Sequence, residues 1–405
     1  MPRWSFVGAA SLSPAMFPGA CSVSVEPAQD GRTPSAPKTS PGTLPSMSPS
    51  TPFLSVDLER MQANIARTAD AATARGLALR PHAKTHKCIE IARMQLAAGA
   101  VGLTVATVGE AEVFAAAGLD DLFIAYPLWV DADRAARLSH LAAVGANIAI
   151  GVDSVAGVER ITRAGLAGRI AVRIEIDAGH HRSGCVPGLA GDVAAAAVRA
   201  GIDVEGVFAF PGHAYAPEGR EQAAADEAEA LTIAVAAMRA AGVAPRVVSG
   251  GSTPSFEAAL ALDSPVTELR PGVGVLGDAQ QWELGSMPAS GIALTCHATV
   301  VSHAGGRLVL DAGSKVLGAD RAPWATGYGR LLDHPDACIV LLSEHHAVAE
   351  LPDGAELPRL GSVVRVVPNH VCNAVNLVDE LVVYDHGTDA LPVATWRVAA
   401  RGRNS

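Results

Sequence analysis

Between residues 54 and 290 the chain alternates short apolar runs with longer stretches in which apolar residues recur at helical spacing. Alanine-rich helical stretches are predicted at 108–117 and 221–241. Strands are predicted at about 77–81, 101–106, 122–126, 147–152, 170–176, 204–210, 246–249 and 266–269. Eight strands alternating with helices are typical of an α/β fold, a parallel (β/α)8 barrel of the TIM type. A doubly wound open sheet is the alternative.

The pattern also predicts where the first helix begins and ends. Apolar residues share one helical face between Leu58 and Ala69, and Gly76 can end the helix. Ser55 can cap its start, and we interpret Asp57 as a helix-start residue rather than a catalyst.

After about residue 290 the period changes to that of strands, and long helices are absent. Strands are predicted here at 292–301, 307–311, 338–342, 363–367 and 380–384. We therefore expect three regions: a disordered leader rich in proline and serine (1–50), a barrel (51–290) and a β domain (291–405).

The first 50 residues differ in composition from the rest. Ten of the 26 prolines fall within residues 1 to 52. Such a segment buries too little apolar surface to offset its ordering entropy. Because Pro14 and Pro18 interrupt the early apolar stretch, a disordered leader, or sequence upstream of the true start, is favoured over a signal peptide.

Composition narrows the function classes. A net charge of −10 and the absence of a lysine- and arginine-rich block argue against a nucleic-acid partner. Without an apolar run of about 18 residues, no membrane span is expected. Six scattered cysteines favour a reduced, cytoplasmic protein over a disulfide scaffold.

A basic segment at residues 80–87, Arg-Pro-His-Ala-Lys-Thr-His-Lys, directly follows the first predicted barrel strand. In it Lys84 lies between His82 and His86, with Lys87 beside them. Neighbouring cations disfavour the ammonium form and make the amine more available, which Schiff-base chemistry requires. The alternative is a basic strand end that binds phosphate or nothing.

Other marked residues follow later barrel strands, on the face where such barrels carry their active sites. Arg182 follows the fifth strand and His213 the sixth. Ser252 and Thr253 follow the seventh strand, and a turn beginning at Arg270 follows the eighth. This spacing predicts one site at the rim of the barrel.

Two glycine-rich segments at this rim are candidates for binding a phosphate. Gly251 precedes Ser252 and Thr253 at the start of a helix-like stretch, while Gly272 and Gly274 lie in the turn after the eighth strand. Exposed N–H groups, hydroxyls and a helix start all favour an anion. The alternative is a pair of ordinary βα loops.

A metal site is predicted in the β domain at His370 and Cys372. On a strand, side chains two positions apart project to the same face. An imidazole and a thiolate suit zinc, in a site completed by water and substrate. Alternatively, Cys372 is a small buried hydrophobic residue.

Together these segments resemble the fold-type III pyridoxal-phosphate (PLP) enzymes of the D-serine dehydratase and D-threonine aldolase group, relatives of alanine racemase. The matching segments are residues 51–57, 81–87, 175–184, 250–254, 269–272, 311–315 and 368–372. The resemblance implies a (β/α)8 TIM-type barrel with a C-terminal antiparallel β domain. It also implies pyridoxal 5'-phosphate as cofactor, linked to Lys84.

The resemblance further implies roles for the other site residues. Arg182 would lie near the cofactor ring and contact the pyridine nitrogen or the substrate carboxylate; an ion pair with Asp177 is the alternative. The cofactor phosphate would lie on the two glycine-rich segments, and His213 is a further candidate beside the cofactor. Related β domains reach the barrel rim across a homodimer, so the resemblance implies a homodimer here. It also makes His346 a candidate for lining the pocket.

Within this group, dehydratases carry His-x-Cys at the metal, whereas aldolases carry a carboxylate as the second ligand. The resemblance therefore favours dehydration of a β-hydroxy D-amino acid, with a D-serine-like substrate giving a 2-oxo acid and ammonia. Retro-aldol cleavage to glycine and an aldehyde is the alternative. A thiolate favours Zn²⁺, and a carboxylate a harder metal such as Mn²⁺ or Mg²⁺.

Two further alternatives are weaker. A racemase of this fold needs a second base, commonly a tyrosine of the β domain, and no tyrosine lies between Tyr328 and Tyr384. A non-enzymatic carrier of vitamin B6 would lack the β domain. In the family that the chain resembles, an aromatic residue usually follows the Arg-Pro-Gly turn. None is present at 270–274 here, so we expect a roomier pocket and a substrate bulkier than serine.

Overall fold

The computed structural model describes residues 49–385 and 391–405. The leader predicted at 1–50 lies outside these residues except for its last two positions. Within the described ranges, no helix is both long enough and apolar enough to cross a membrane.

The described chain opens with strand β1 (Phe53–Asp57), which leads directly into helix α1 (Leu58–Ala74). Asp57 caps α1, because its carboxylate accepts the N–H of Arg60 at 3.0 Å. The prediction of a helix-start role for Asp57 is confirmed. The prediction that Ser55 caps the helix was wrong, since Ser55 lies within β1 and its hydroxyl bonds to a neighbouring strand.

Eight parallel strands form the barrel, and each overlaps one of the strands predicted from sequence. They are β2 (Ala78–Leu79), β3 (Leu103–Val105), β4 (Asp121–Pro127), β5 (Asn147–Val152), β6 (Ala171–Ile176), β7 (Asp203–Ala209), β8 (Val247–Gly250) and β9 (Glu268–Leu269). Their spatial order is β2-β9-β8-β7-β6-β5-β4-β3, and a parallel bridge between His82 and Thr104 joins the two ends. The barrel prediction is confirmed, and this closure excludes the open sheet.

Helices surround the barrel and cover its aliphatic strands. They are α2 (Ile89–Ala97), α3 (Val108–Ala116), α4 (Ala132–Ala143), α5 (Val155–Arg163), α6 (Ala190–Arg199), α7 (Arg220–Ala240), α8 (Phe256–Ala261) and α9 (Ala279–Glu283). The predicted helices at 108–117 and 221–241 coincide with α3 and α7. Thr107, Asp131 and Ser154 cap α3, α4 and α5 through their side-chain oxygens.

A second, largely antiparallel sheet forms the β domain that was predicted after residue 290. Besides β1 it contains β10 (Leu294–Ser302), β11 (Leu308–Leu310), β12 (Gly329–Leu331), β13 (His334–Leu342), β14 (Ala347–Glu350), β15 (Val363–Pro368), β16 (Glu380–Tyr384) and β17 (Ala394–Arg397). Two short helices interrupt it, α10 (Ser314–Leu317) and α11 (Val371–Val375). The order is β11-β14-β13-β12-β15-β10-β1-β16-β17, so β1 pairs with β10 and β16 although it precedes the barrel in sequence.

Candidate active site

A cavity of about 520 Å³ lies at the carboxyl ends of the barrel strands. Of the residues predicted from sequence, those that line it are Lys84, Arg182, Gly251, Ser252, Thr253 and Gly272. The remaining lining residues are His82, Thr85, Ala125, Phe210, Tyr215, Arg270 and Val273. These residues follow different strands in sequence, and closure of the barrel brings them to one rim.

Lys84 lies on a single helical turn, Ala83–Thr85, just after β2. Burial lowers the pKa of its ammonium group, and the nearby Arg182 and Arg270 lower it further, against the opposing effect of Cys372 and Glu110. The amine therefore loses its proton more easily than that of an exposed lysine. This is the property that a nucleophilic lysine requires.

Arg182 lies across the cavity from the floor of the barrel and packs on Phe210. Its guanidinium carbon lies 4.9 Å from the centre of the Phe210 ring, and its side chain is half exposed. The expected alternative, an ion pair with Asp177, is not formed, because Asp177 bonds to His181 at 2.8 Å. The contact of Arg182 with the buried Glu175 is long, at 3.9 Å, so its guanidinium retains donors for an anionic ligand.

The loop after β8 takes its shape from a buried carboxyl group. Gly251 has a φ of +78°, and a Cβ atom there would lie 2.7 Å from the side chain of Leu269. Its N–H donates to both side-chain oxygens of Glu227, at 3.0 and 2.9 Å. Because Glu227 engages this N–H, donors for a phosphate would come from Ser252 and Thr253.

Those two residues are held by their neighbours. The hydroxyls of Ser252 and Ser255 lie 2.8 Å apart, and the hydroxyl of Thr253 accepts the N–H of Gly274 at 3.1 Å. Tyr215 also hydrogen-bonds to Thr253, and burial raises the pKa of its phenol. Gly274 thus positions Thr253 and does not itself line the cavity.

Arg270 was placed in the predicted turn but was not singled out from the sequence. It is 6% exposed, and it donates to the hydroxyl of Ser249 at 2.6 Å and to the carbonyl of Ala209. Burial lowers its pKa to about 10, so it stays a cation at neutral pH. A sequence signal was available, since an arginine directly after a barrel strand faces the site rim.

His82 supplies a polar atom without a protein partner. Its Nδ1 is buried and has no hydrogen bond to any other described residue. Burial, with Lys84 and Arg270 nearby, lowers the pKa of the imidazole well below its usual range, so the ring is neutral. An unpaired buried polar atom in a cavity wall fits a polar ligand such as a cofactor ring.

The other histidines considered from sequence lie away from the cavity. His86 is fully buried and bonds to Gln95 at 3.2 Å, which makes it a structural residue. His213 bonds through Nε2 to Asp226 at 3.0 Å and is not among the lining residues. His346 lies exposed in the turn between β13 and β14.

His370 and Cys372 lie at the start of α11, just past the end of β15. The assumption that both residues lie on a strand was wrong, but the two side chains lie close enough to shift each other's pKa. The Nδ1 atom of His370 lies 2.6 Å from Asp320, which leaves Nε2 for a metal ion. A carboxylate on the far nitrogen is the usual second partner of a metal-binding histidine.

The electrostatics of this pair suit a cation. Burial opposes the charged imidazole, yet Cys372 and Asp320 raise the pKa of His370 to about 11. Burial likewise opposes the thiolate, but His370 and Lys84 lower the pKa of Cys372. A metal ion can replace the proton that the pair shares. Across the described residues no group of three or more His, Cys, Asp or Glu side chains could hold a metal, so other positions would remain open to water or substrate.

The pair reaches the barrel within a single chain. The sulfur of Cys372 lies 3.4 Å from the hydroxyl of Thr85, the residue next to Lys84. Trp324, also from the β domain, donates to the carbonyl of Tyr215 at 3.0 Å. The site therefore does not need a second copy to bring His370 and Cys372 to the rim, and a homodimer stays a prediction.

Comparison with known proteins agrees with this architecture. The chain matches the alanine racemase N-terminal domain over residues 56–280 and a serine dehydratase-like domain over 293–384. It is 36% identical to D-threo-3-hydroxyaspartate dehydratase of Delftia sp. (strain HT23), over 80% of this chain and 90% of that protein. It is 34% identical to D-threonine aldolase of Arthrobacter sp, over 87% of this chain and 93% of that protein.

Comparison with solved structures also finds related enzymes that match most of the chain. The D-threonine aldolase from Filomicrobium marinum matches with a TM-score of 0.78 at 31% identity, over 87% of this chain and 96% of that one. The Delftia dehydratase matches with a TM-score of 0.78 at 34% identity, over 86% and 97%. The solved structures of the Delftia dehydratase include two variants, in which alanine replaces either a histidine or a cysteine two positions after it. The structure of the cysteine variant is in the metal-free form. The chain therefore belongs to the fold-type III pyridoxal-phosphate enzymes that join an alanine racemase N-terminal domain to a D-serine dehydratase-like domain.

Proposed function

We propose that the protein is a PLP- and zinc-dependent lyase that eliminates water from a β-hydroxy D-amino acid, after which hydrolysis releases ammonia and leaves a 2-oxo acid. The observation that carries this proposal is the contact of Cys372, two positions from His370, with Thr85 in the loop of Lys84, at 3.4 Å. A lysine with a lowered pKa thus lies beside a candidate metal pair, which adjoins the cavity through Thr85 and does not itself line it. The identity of the second metal ligand separates the dehydratase from the aldolase.

The cavity fits pyridoxal phosphate in charge and in donors. Lys84 would hold the cofactor covalently, and the hydroxyls of Ser252, Thr253 and Tyr215 would face its phosphate. Arg270 and the unpaired nitrogen of His82 supply further polar contacts. When bound, the cofactor would withdraw electrons from the substrate Cα atom and so acidify its proton.

Zinc suits His370 and Cys372 because a nitrogen and a thiolate sulfur match its ligand preference. When bound, the metal would act as a Lewis acid on the substrate β-hydroxyl and help it to leave as hydroxide. The Delftia dehydratase, with its histidine and cysteine at the same spacing, supports the assignment of dehydration.

The protein groups would then bind the substrate and move protons. Arg182, which keeps free donors on its half-exposed guanidinium, would bind the substrate carboxylate. Lys84, released from the cofactor when the substrate amine takes its place, would accept the Cα proton, because its lowered pKa leaves a larger fraction as free amine. Loss of the proton and hydroxyl, followed by hydrolysis, gives the 2-oxo acid and ammonia.

The test is an assay of the zinc-loaded holoenzyme against D-serine, D-threonine and D-3-hydroxyaspartate. Products are scored as 2-oxo acid plus ammonia against glycine plus aldehyde. We expect 2-oxo acid and ammonia in equal amounts. Interconversion of D- and L-forms without 2-oxo acid would instead identify a racemase and refute the proposal.

A retro-aldol lyase is the second candidate, because the similarity to D-threonine aldolase of Arthrobacter sp extends over 87% of the chain. Glycine and aldehyde as the main products would establish it. Cys372→Asp, which creates a His-x-Asp pair, tests whether the second ligand selects the reaction. We expect this variant to lose dehydration and to prefer Mn²⁺ over Zn²⁺.

We also propose a cytoplasmic homodimer. Sedimentation equilibrium of the holoenzyme tests the dimer, and a single species at the mass of one chain would contradict it.

A further inference from the structure

Lys87, three positions beyond Lys84, carries a buried ammonium group that the proposed chemistry does not use. It is 6% exposed. Its Nζ lies 3.2 Å from a carboxylate oxygen of Glu110, 2.7 Å from the side-chain oxygen of Asn376 and 3.4 Å from that of Asn404.

These contacts connect the barrel to the helix that carries the metal pair. Glu110 belongs to α3 of the barrel, and its second oxygen accepts the N–H of Ala106 at 2.6 Å. Asn376 ends α11, four positions after Cys372. Lys87 itself has a φ of 51°, a conformation that a side-chain-bearing residue adopts only where its surroundings hold it.

The orientation of α11 depends on such contacts, because a helix of five residues is not stable by itself. Cys372 touches Thr85 near the start of the helix, at 3.4 Å. The bond from Lys87 to Asn376 holds its end, and as a charge-assisted bond of 2.7 Å it is the shorter of the two. Contacts at both ends, together with its fully buried apolar face, fix the rotation of α11 about its axis.

We propose that Lys87 is a positioning residue for the metal pair: by holding Asn376 it sets the direction in which His370 and Cys372 face the loop of Lys84. This inference rests on the proposed function. Loss of the contact between Lys87 and Asn376 lets α11 turn and separates the two ligands. The cofactor link at Lys84 does not depend on this contact and is unaffected.

The main test variant is Asn376→Ala, which removes the acceptor on α11 and keeps the buried pair of Lys87 and Glu110. Its matched control is Asn404→Ala, which removes an acceptor of the same ammonium group that does not lie on α11. The zinc dissociation constant of each holoenzyme is measured by competition with a chelator, together with the cofactor absorbance and the melting temperature.

We expect Asn376→Ala to bind Zn²⁺ about 10-fold more weakly, the lower end of the range found when direct partners of metal ligands are lost, because Asn376 acts on the ligands only through α11. Its cofactor absorbance should equal that of the wild type, and Asn404→Ala should match the wild type in both. The double variant Lys87→Met/Glu110→Gln, which leaves no unpaired buried carboxylate, should reproduce the weaker zinc binding.

Unchanged zinc affinity in Asn376→Ala would overturn the inference. Equal losses of affinity in both asparagine variants, in step with their melting temperatures, would also overturn it, because Lys87 would then act only on stability. A wild-type protein that binds no Zn²⁺ would instead refute the proposed function, so the two failures are distinguishable.

Discussion

Replacing Glu227 by glutamine should stabilise the protein by about 3 kcal/mol at pH 7 and above, and by much less at pH 5. Glu227 is 1% exposed on α7, and among the described residues its oxygens accept a single N–H, that of the Gly251 backbone. Burial raises the pKa of its carboxyl from 4.5 to about 7, against the opposing effect of that N–H and of Arg270.

The direction in which stability changes with pH follows from the direction of this pKa shift. Because the pKa is higher in the folded protein, folding favours the protonated carboxyl. Its contribution to stability is complete below about pH 4.5 and is lost as the pH rises through 7. The difference between 4.5 and about 7 corresponds to about 3 kcal/mol of unfolding free energy. Glutamine stays neutral and keeps an oxygen for the N–H of Gly251, so it avoids this loss.

The assay is urea unfolding of the cofactor-saturated protein at pH 5, 6, 7 and 8. The unfolding free energy of Glu227→Gln should exceed that of the wild type by about 1 kcal/mol at pH 5, rising to about 3 kcal/mol at pH 7 and changing little from there to pH 8. The control is Glu229→Gln, an exposed position on the same helix, which should follow the wild type throughout. A difference between wild type and Glu227→Gln that is constant with pH would refute the reasoning.

Three other predictions concern the site itself. Lys84→Ala should abolish the cofactor absorbance and turnover. Lys315 is exposed, so its replacement by alanine should retain both. Activity in Lys84→Ala would contradict the proposed role of the amine. Asp320→Asn should weaken Zn²⁺ binding about 10- to 100-fold in a chelator competition, because Asp320 orients His370; equal affinity would show that the contact is incidental. Zinc uptake at pH 8 should release one proton, because His370, with its pKa raised to about 11, holds that proton against the Cys372 thiolate. Calorimetry in buffers of different ionisation enthalpy measures this, and uptake without proton release would mean that the pair is not an imidazolium and a thiolate.

The sequence predicted the barrel strands, including those of two or three residues, better than the short strands of the β domain. Each barrel strand is an apolar run next to a helix of clear period, so the alternation was visible without the structure. Strands β12, β14 and β17 contain only three or four residues and were not predicted, because two or three alternations do not rise above the surrounding turns. β1 was also missed, since its pairing with β10 and β16 depends on residues more than 200 positions away.

The sequence by itself determined the barrel, the β domain that follows it, and the residue types available at the rim. The motif at 80–87 and the pair at His370 and Cys372 follow from local order, since each lies where an element ends. Only the tertiary structure decided which of these residues meet. His213 and His346 do not line the cavity, whereas Arg270 and Tyr215 do. The tertiary structure also brought the metal pair against the loop of Lys84 within one chain. The reason is that burial, charge pairing and the approach of one domain to another depend on contacts between distant segments, which local sequence does not specify.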